Sequence, residues 1–191
     1  WLQWAEQLQT GMDARFWDDA AGGYFNSRAA DASIVLRLKE DYDGAEPAPS
    51  SVAAANLLRL ATVLNDGALR QRGLRTIEAF RAQWAGTPHA MPEMLCAVAA
   101  ALEPPRQVVL AGNPAKPDFQ AMAAVLHERL GPRRALLALT TGADRTWLAS
   151  RAPWLAEMET RDGKATAFVC EHFACQQPVT DPAALRRLLT T

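Results

Sequence analysis

The spacing of apolar residues changes character at Pro104–Pro105. Before that pair, apolar residues recur every three or four positions, the period of a helix face. After it they come in short unbroken runs, the signature of buried strands. A chain carrying both patterns in succession cannot close on one kind of layer, because each face must be covered by an element that matches it. The expected fold is therefore mainly α with a small α/β unit. Helical hairpins should occupy residues 1–103, and a βαβ unit with a third strand and a C-terminal helix should occupy 104–191.

In the first part, Trp1, Trp4, Ala5, Leu8, Met12 and Phe16 lie on one face of a helix. Gly22–Gly23 predicts a turn. Tyr24–Ser27 and Ile34–Leu38 predict a short β-hairpin inserted between helices. The stretch KEDYDGAEPAPSS (39–51) follows, with Ser50 or Ser51 the expected helix-capping oxygen. The helix after it, VAAANLLRLATVLN, has polar residues only at every third position, so it should be enclosed on most sides. ALRQRGLRTIEAFRAQW has a single apolar stripe and should be half-exposed. HAMPEMLCAVAAALE is again enclosed, with Pro92 in its first turn. Enclosed, exposed, enclosed is the alternation of helix pairs in concentric layers. The face of Val52–Leu64 is then expected to be covered by the α/β part or by a second copy of the chain in a homo-oligomer.

In the second part, RQVVLAG and RALLALT read as buried strands. DFQAMAAVLHERL, with Phe119, Met122, Leu126 and Leu130 in a row, is the helix between them. A strand, helix and strand in this order make a parallel pair, so the short sheet is expected to be mostly parallel. DRTWLASRAPWLA predicts a broken helix and ATAFVC a third strand. TDPAALRRLL predicts a helix capped by Asp181, with Pro182 in its first position.

Composition excludes several function classes. With 49% hydrophobic and 21% charged residues among 191, the chain can bury a core. A formal net charge of −1 leaves no electrostatic footprint for nucleic acid or an anionic membrane. No apolar run approaches the roughly 20 residues that span a bilayer. WLQWAEQLQ lacks the basic start and apolar block of a signal peptide. Three cysteines make no disulfide scaffold, so a reducing, cytoplasmic setting is expected. The opening Trp1, already within a helical pattern, reads as a piece cut from a longer protein.

Several stretches together carry a family resemblance: FWDDAAGGYF, KEDYDGAEPAPSSVAAANLLRLA, the QVVLAG strand and AFVCEHFACQQPVTDPAAL. The chain resembles the C-terminal part of the thioredoxin-domain-containing proteins related to a spermatogenesis-associated protein, over essentially all of its length. The resemblance implies a thioredoxin-like domain followed by an (α/α)6 toroid of the six-hairpin glycosidase or sugar-epimerase type. This chain would hold the later part of that toroid, and its partners would include the missing N-terminal part of the same protein. The ligand implied is a carbohydrate or another small molecule. No cofactor is implied.

Three constellations could carry chemistry. Asp41, Asp43 and Glu46 are candidate acid/base residues, since glycoside hydrolysis needs two carboxyls about 5–9.5 Å apart. Glu40 belongs to the same acidic loop, while Tyr42 and Trp17 are candidate stacking platforms for a sugar. The expectation is that this loop, reversed at Gly44 and stiffened by Pro47 and Pro49, converges on one concavity. Replacing Asp43 with Ala should then affect ligand binding more than stability. The plain alternative is a solvated loop whose acids favour a helix start. Cys170 and Cys175 are expected as buried structural thiols. The minor alternatives are a disulfide or redox pair, and a metal site lacking its other ligands. His89, His127 and Cys96 are scattered, so no metal is expected. Finally, GNPAKP stands between a strand and a helix, where α/β folds place anions, but it lacks either phosphate fingerprint and reads as a plain turn. A non-catalytic interaction module is the alternative to a sugar-binding region.

Overall fold

The computed structural model describes residues 1–29, 31, 33–128 and 134–190. Two compact units divide the chain: one of Trp1–Ala61 with Asp66–Glu103, the other of Thr62–Asn65 with Pro104–Thr191.

Helices α1 (Leu2–Phe16), α2 (Pro49–Leu64), α3 (Gly67–Ala79), α4 (Arg81–Gly86) and α5 (Pro92–Leu102) belong to the first unit, apart from the last turn of α2. α2 is as apolar as its sequence requires, and it presents two sides to two clusters. Ala54 and Leu58 pack with Ile77, Phe80, Met91, Met94 and Ala97. Ala53 and Leu57 pack with Tyr24, backed by Met12, Phe16, Trp17 and Leu69. The α1 stripe is covered only in its second half: Met12 and Phe16 join the core, whereas Trp1, Trp4 and Leu8 stay exposed.

Tyr24 anchors this unit. Its ring is buried, and its hydroxyl donates to Asp13 Oδ1 at 2.6 Å while accepting from Gln9 Nε2 at 3.0 Å. Asp13 is also ion-paired to Arg72 of α3. Burial first, and the Asp13 bond second, push the Tyr24 hydroxyl far above its ordinary pKa, so it is a permanent donor. Its backbone is held as well: Tyr24 N donates to Ser50 Oγ at 3.0 Å. Ser50 is therefore a strap between the turn and α2, not the expected cap, and Ser51 Oγ is buried without a partner. The turn itself needs Gly22 and Gly23, at φ 79° and 75°. A β-carbon at either would stand 2.9 Å from a heavy atom of α3 or Phe80.

The expected β-hairpin is not built. Among the described residues, Tyr24 bridges Trp17, and one backbone bond, from Asn26 N to Leu38 O at 2.9 Å, joins the two predicted strands. Ile34, Val35 and Leu36 are exposed, so their alternating pattern has no apolar face to meet.

The second unit is a four-stranded sheet in the order β2-β1-β3-β4. The strands are β1 (Arg106–Ala111), β2 (Arg134–Leu139), β3 (Thr166–Glu171) and β4 (Ala174–Cys175). The helices are α6 (Pro117–His127), α7 (Ala143–Arg151) and α8 (Pro182–Thr190). β1 is central and buried on both faces. Val108 and Leu110 meet Phe119, Met122, Val125 and Leu126 of α6 and Leu185 of α8. Val109 and Ala111 meet Leu139, Ala152, Leu155 and Phe168. As expected, β1 and β2 are parallel across α6. β3, however, runs antiparallel to β1, so the expectation of a mostly parallel sheet fails. β2 is a half-exposed edge strand, not a buried one. Asp181 caps α8 as predicted, accepting from Ala184 N at 2.7 Å. Leu130, the expected last member of the α6 row, lies outside the described residues. No helix among the described residues is long and apolar enough to cross a membrane.

Tyr24→Phe should lower stability by about 1–2 kcal/mol, the worth of a buried hydrogen bond whose acceptor keeps its Arg72 partner. A shifted urea midpoint at unchanged slope would register it, and an unchanged midpoint would count against the network.

Candidate functional site

A cavity of about 430 Å³ opens in the α/β unit at the carboxyl ends of the parallel strands. Its floor is Ala111–Asn113 after β1 and Leu139–Thr141 after β2. The chain leaving β1 packs its helix on one face of the sheet, and the chain leaving β2 packs on the other. Two strands whose connections diverge in this way leave a crevice between their ends, where open α/β sheets bind ligands. The sequence compels the divergence: β1 is apolar on both faces, so each face needs its own helix.

The rim carries polar groups of both signs. Lys116 is exposed just before α6, and Asp118 lies in the first turn of that helix. Asp118 Oδ2 accepts from Ala165 N at 2.8 Å. That bond, with those of its own helix start, holds the carboxyl below its usual range, so it stays ionised. Arg145 is partly spent on structure: it donates to the carbonyls of Met158 at 3.1 Å and Ala156 at 3.3 Å, and Glu159 lies 3.9 Å away. Thr140, Thr141 and Asn113 add two hydroxyls and an amide. Thr141, just before α7, and Arg145 in its first turn line the same rim, and the helix's cap residue is Gly142 at φ 98°, which has no side chain to cap it. Its first amide N–H groups can therefore donate to an anionic or carbonyl oxygen. Gly112 lets the chain pass close to the floor: a β-carbon there would stand 3.0 Å from the Phe119 ring and 3.3 Å from Ala165 Cα.

The acidic loop divides into exposed acids and one buried one. Asp41, Tyr42, Glu40 and Glu46 are exposed. Glu40 exchanges bonds with Asn26, its amide reaching Asn26 Oδ1 at 3.3 Å. Asp43 alone is buried, and its oxygens are already committed: Oδ1 accepts from Ala48 N at 2.8 Å, and Oδ2 from Glu93 N at 2.9 Å and Met94 N at 3.1 Å. Asp43 is thus the cap of α5 and the clamp of its own loop, with three of its four acceptor positions filled by backbone amides. Trp17 is not free to stack on a sugar either. It meets Tyr24 edge-on at 5.2 Å, and Arg72 and Arg75 lie over its ring at 5.1 and 5.3 Å. Gly44 has no left-handed backbone.

Cys170 and Cys175 form a disulfide, which corrects the expectation of buried thiols. Cys96, His89 and His127 are exposed. Among the described residues, no group of His, Cys, Asp and Glu could hold a metal ion. Lys116, Thr140, Thr141 and Arg145 were missed as site residues. The one available signal was the GNPAKP turn between a strand and a helix, which carries no fingerprint of its own.

This architecture is a mixed α/β chain with one small four-stranded sheet and flanking helices. No family model matches it. In sequence the chain is similar to spermatogenesis-associated protein 20 of Homo sapiens, at 38% identity over 99% of this chain. Spermatogenesis-associated protein 20 of Mus musculus is 37% identical over the same share. An uncharacterized protein of Caenorhabditis elegans is 27% identical over 94% of this chain. The chain spans 24% of the length of each of these relatives, consistent with a fragment of a larger protein.

The placement of Asp43 reverses the earlier expectation for its replacement. Asp43→Ala should cost about 2–3 kcal/mol in stability, since two helix amides and a loop amide lose their acceptor together. Ligand binding at the α/β cleft should be unchanged in the folded fraction. Denaturation midpoints set beside a binding titration separate the two.

Proposed function

We propose that this chain supplies a small-molecule binding site to a longer protein, and that the site is the cleft at the carboxyl ends of β1 and β2. The position of that cavity, at the point where the connections diverge, carries the reading. Its chemistry favours a polar ligand with an anionic group. The Lys116 ammonium and the uncapped start of α7 would meet the anion, and the Thr140 and Thr141 hydroxyls would meet neighbouring oxygens. Asp118 and Glu159 would accept from ligand hydroxyls. A phosphorylated or carboxylated sugar joins these features to the carbohydrate class implied by the family resemblance. In this reading the helices belong to an α/α toroid, and the cleft binds without an assigned reaction. Sugar processing in the helical unit would fall to the exposed Asp41 and Glu46, since Asp43 is committed to backbone amides.

A second reading, an interaction module, is favoured by one observation. Trp1, Trp4 and Leu8 form an exposed stripe on α1, with the two indoles 6.0 Å apart. Trp4→Ser would then weaken association with a partner and leave cleft binding untouched.

The full-length protein titrated with a panel of sugars and sugar phosphates should bind the phosphorylated members selectively. Lys116→Ala should weaken that binding about tenfold, the effect of losing ~1.4 kcal/mol from one charge-assisted contact. Equal binding of neutral sugars, or loss of binding on replacing Asp41 and Glu46 instead, would refute the assignment to this cleft.

A further inference from the structure

The hairpin at the sheet edge is not built as a structural crosslink requires. β3 and β4 are joined by His172–Phe173, two non-glycine residues both in the left-handed region, at φ 51° and 62°. Two-residue hairpin turns need that backbone but normally take it from Asn and Gly, which adopt it with little strain. β4 contributes only two pairs, Cys170 with Cys175 and Glu171 with Ala174. The return segment is held independently: Gln176 N donates to Val169 O at 2.9 Å, and Val179 exchanges both backbone bonds with Ala167. The turn itself is tied to the chain before β1, His172 N donating to Pro105 O at 3.0 Å, so opening the disulfide would leave both the turn and the segment behind it in place.

The two sulfur positions differ sharply. Cys170 is 1% exposed and packs with Phe168, Leu139 and Ala152, whereas Cys175 is exposed on the edge. Directly opposite Cys170 on β1 is Gln107, fully buried and on the same face by register. Gln107 Nε2 donates to the Thr62 carbonyl at 2.5 Å, which fixes which way the amide points. Its Oε1 is buried and accepts from nothing among the described residues. A buried acceptor without a donor is costly. A disulfide has no proton to offer it, whereas a Cys170 thiol has one.

We propose that Cys170–Cys175 is a thiol–disulfide exchange site whose reaction partner is a dithiol reductant. A thiolate of the partner attacks Sγ of Cys175, the accessible sulfur, and forms a mixed disulfide there. The Cys170–Cys175 bond breaks, its electron pair goes to Cys170 Sγ, and that sulfur takes up a proton and, as a thiol, donates a hydrogen bond to Gln107 Oε1. The partner's second thiolate then attacks the partner's own sulfur in the mixed disulfide, and Cys175 leaves as a thiolate and is protonated. Two electrons and two protons pass from the dithiol to the protein, and the partner is left as a disulfide. Residues Arg106 and Glu171 mark this end of the sheet and Ala111 and Thr166 the cleft end, so the inference does not rest on the proposed ligand.

The full-length protein, undenatured, would be equilibrated with dithiothreitol, acid-quenched, alkylated under denaturing conditions and weighed. Two additional alkylated cysteines are expected, together with return of the disulfide on transfer to oxidised glutathione. A disulfide that opens only after unfolding, or a pair that never oxidises in any glutathione buffer, would overturn the proposal. The order of attack is read from Cys170→Ser and Cys175→Ser treated with oxidised glutathione. The adduct should form at least tenfold faster on Cys175 than on Cys170, and equal rates or the reverse order would overturn it. Should either variant fail to fold, mapping the glutathione adduct trapped on the wild-type protein makes the same distinction. Gln107→Met should shift the equilibrium toward the disulfide, a change that a purely structural glutamine would not produce.

Discussion

Backbone N–H groups left over at helix starts and in buried loops must find acceptors, and in this chain acidic side chains meet that need repeatedly. Asp43 serves α5 and its own loop. Asp66 caps α3 through Ala68 N and Leu69 N. Asp118 ties the start of α6 to Ala165, and Asp181 caps α8. Asp18 closes the Gly22–Gly23 turn through Ala20 N and Ala21 N, and is held ionised chiefly by its bond to Lys39. Each of these carboxylates accepts from backbone amides, so its oxygens belong to the fold before they can belong to a reaction.

That constraint decides where function can reside. An acid whose oxygens are held by several amides cannot take a proton without weakening its cap. The acid-rich loop at residues 39–51 is therefore anchored by its one buried member and solvated at the rest. The cleft in the α/β unit differs in kind. It arises because two parallel strands send their chains to opposite faces, and its groups of both signs are brought together by that divergence. At the other end of the same sheet, the short β3–β4 hairpin places one buried and one exposed cysteine across from each other. One small sheet thus offers a concave polar site at one end and a reactive bond at the other.

Much of the scaffold was legible from residue spacing. The 3.6-residue period marked α2, α3, α5 and α6, and the unbroken run Val108–Leu110 marked a strand covered on both faces. Pro92 and Pro182 marked helix starts, and Asp181 marked a cap. What spacing could not supply was the direction of β3. A strand reached by a connection through α7 can enter the sheet either way round, because apolar alternation is the same read forward or backward. Nor could it show that Ile34–Leu38 lacks a surface to pack on, since a strand pattern names a face without naming its cover. β2 was misjudged for the same reason: RALLALT is apolar enough for a central strand but lies at an edge.

The sequence by itself determined which segments are helices, where several of them begin, and that helices precede a sheet. These properties rest on contacts within a few residues: caps, turn glycines and the period of one face. Only the tertiary structure decided that Asp43 is a cap for a helix 50 residues away, that Ser50 straps Tyr24, and that Cys170 and Cys175 pair across a hairpin. It also decided that Lys116, Thr140 and Thr141 share one cleft. Each of these depends on two segments meeting at a particular register and angle. That meeting is fixed by the burial of α2 in one unit and of β1 in the other, where the packing within each unit chooses their neighbours.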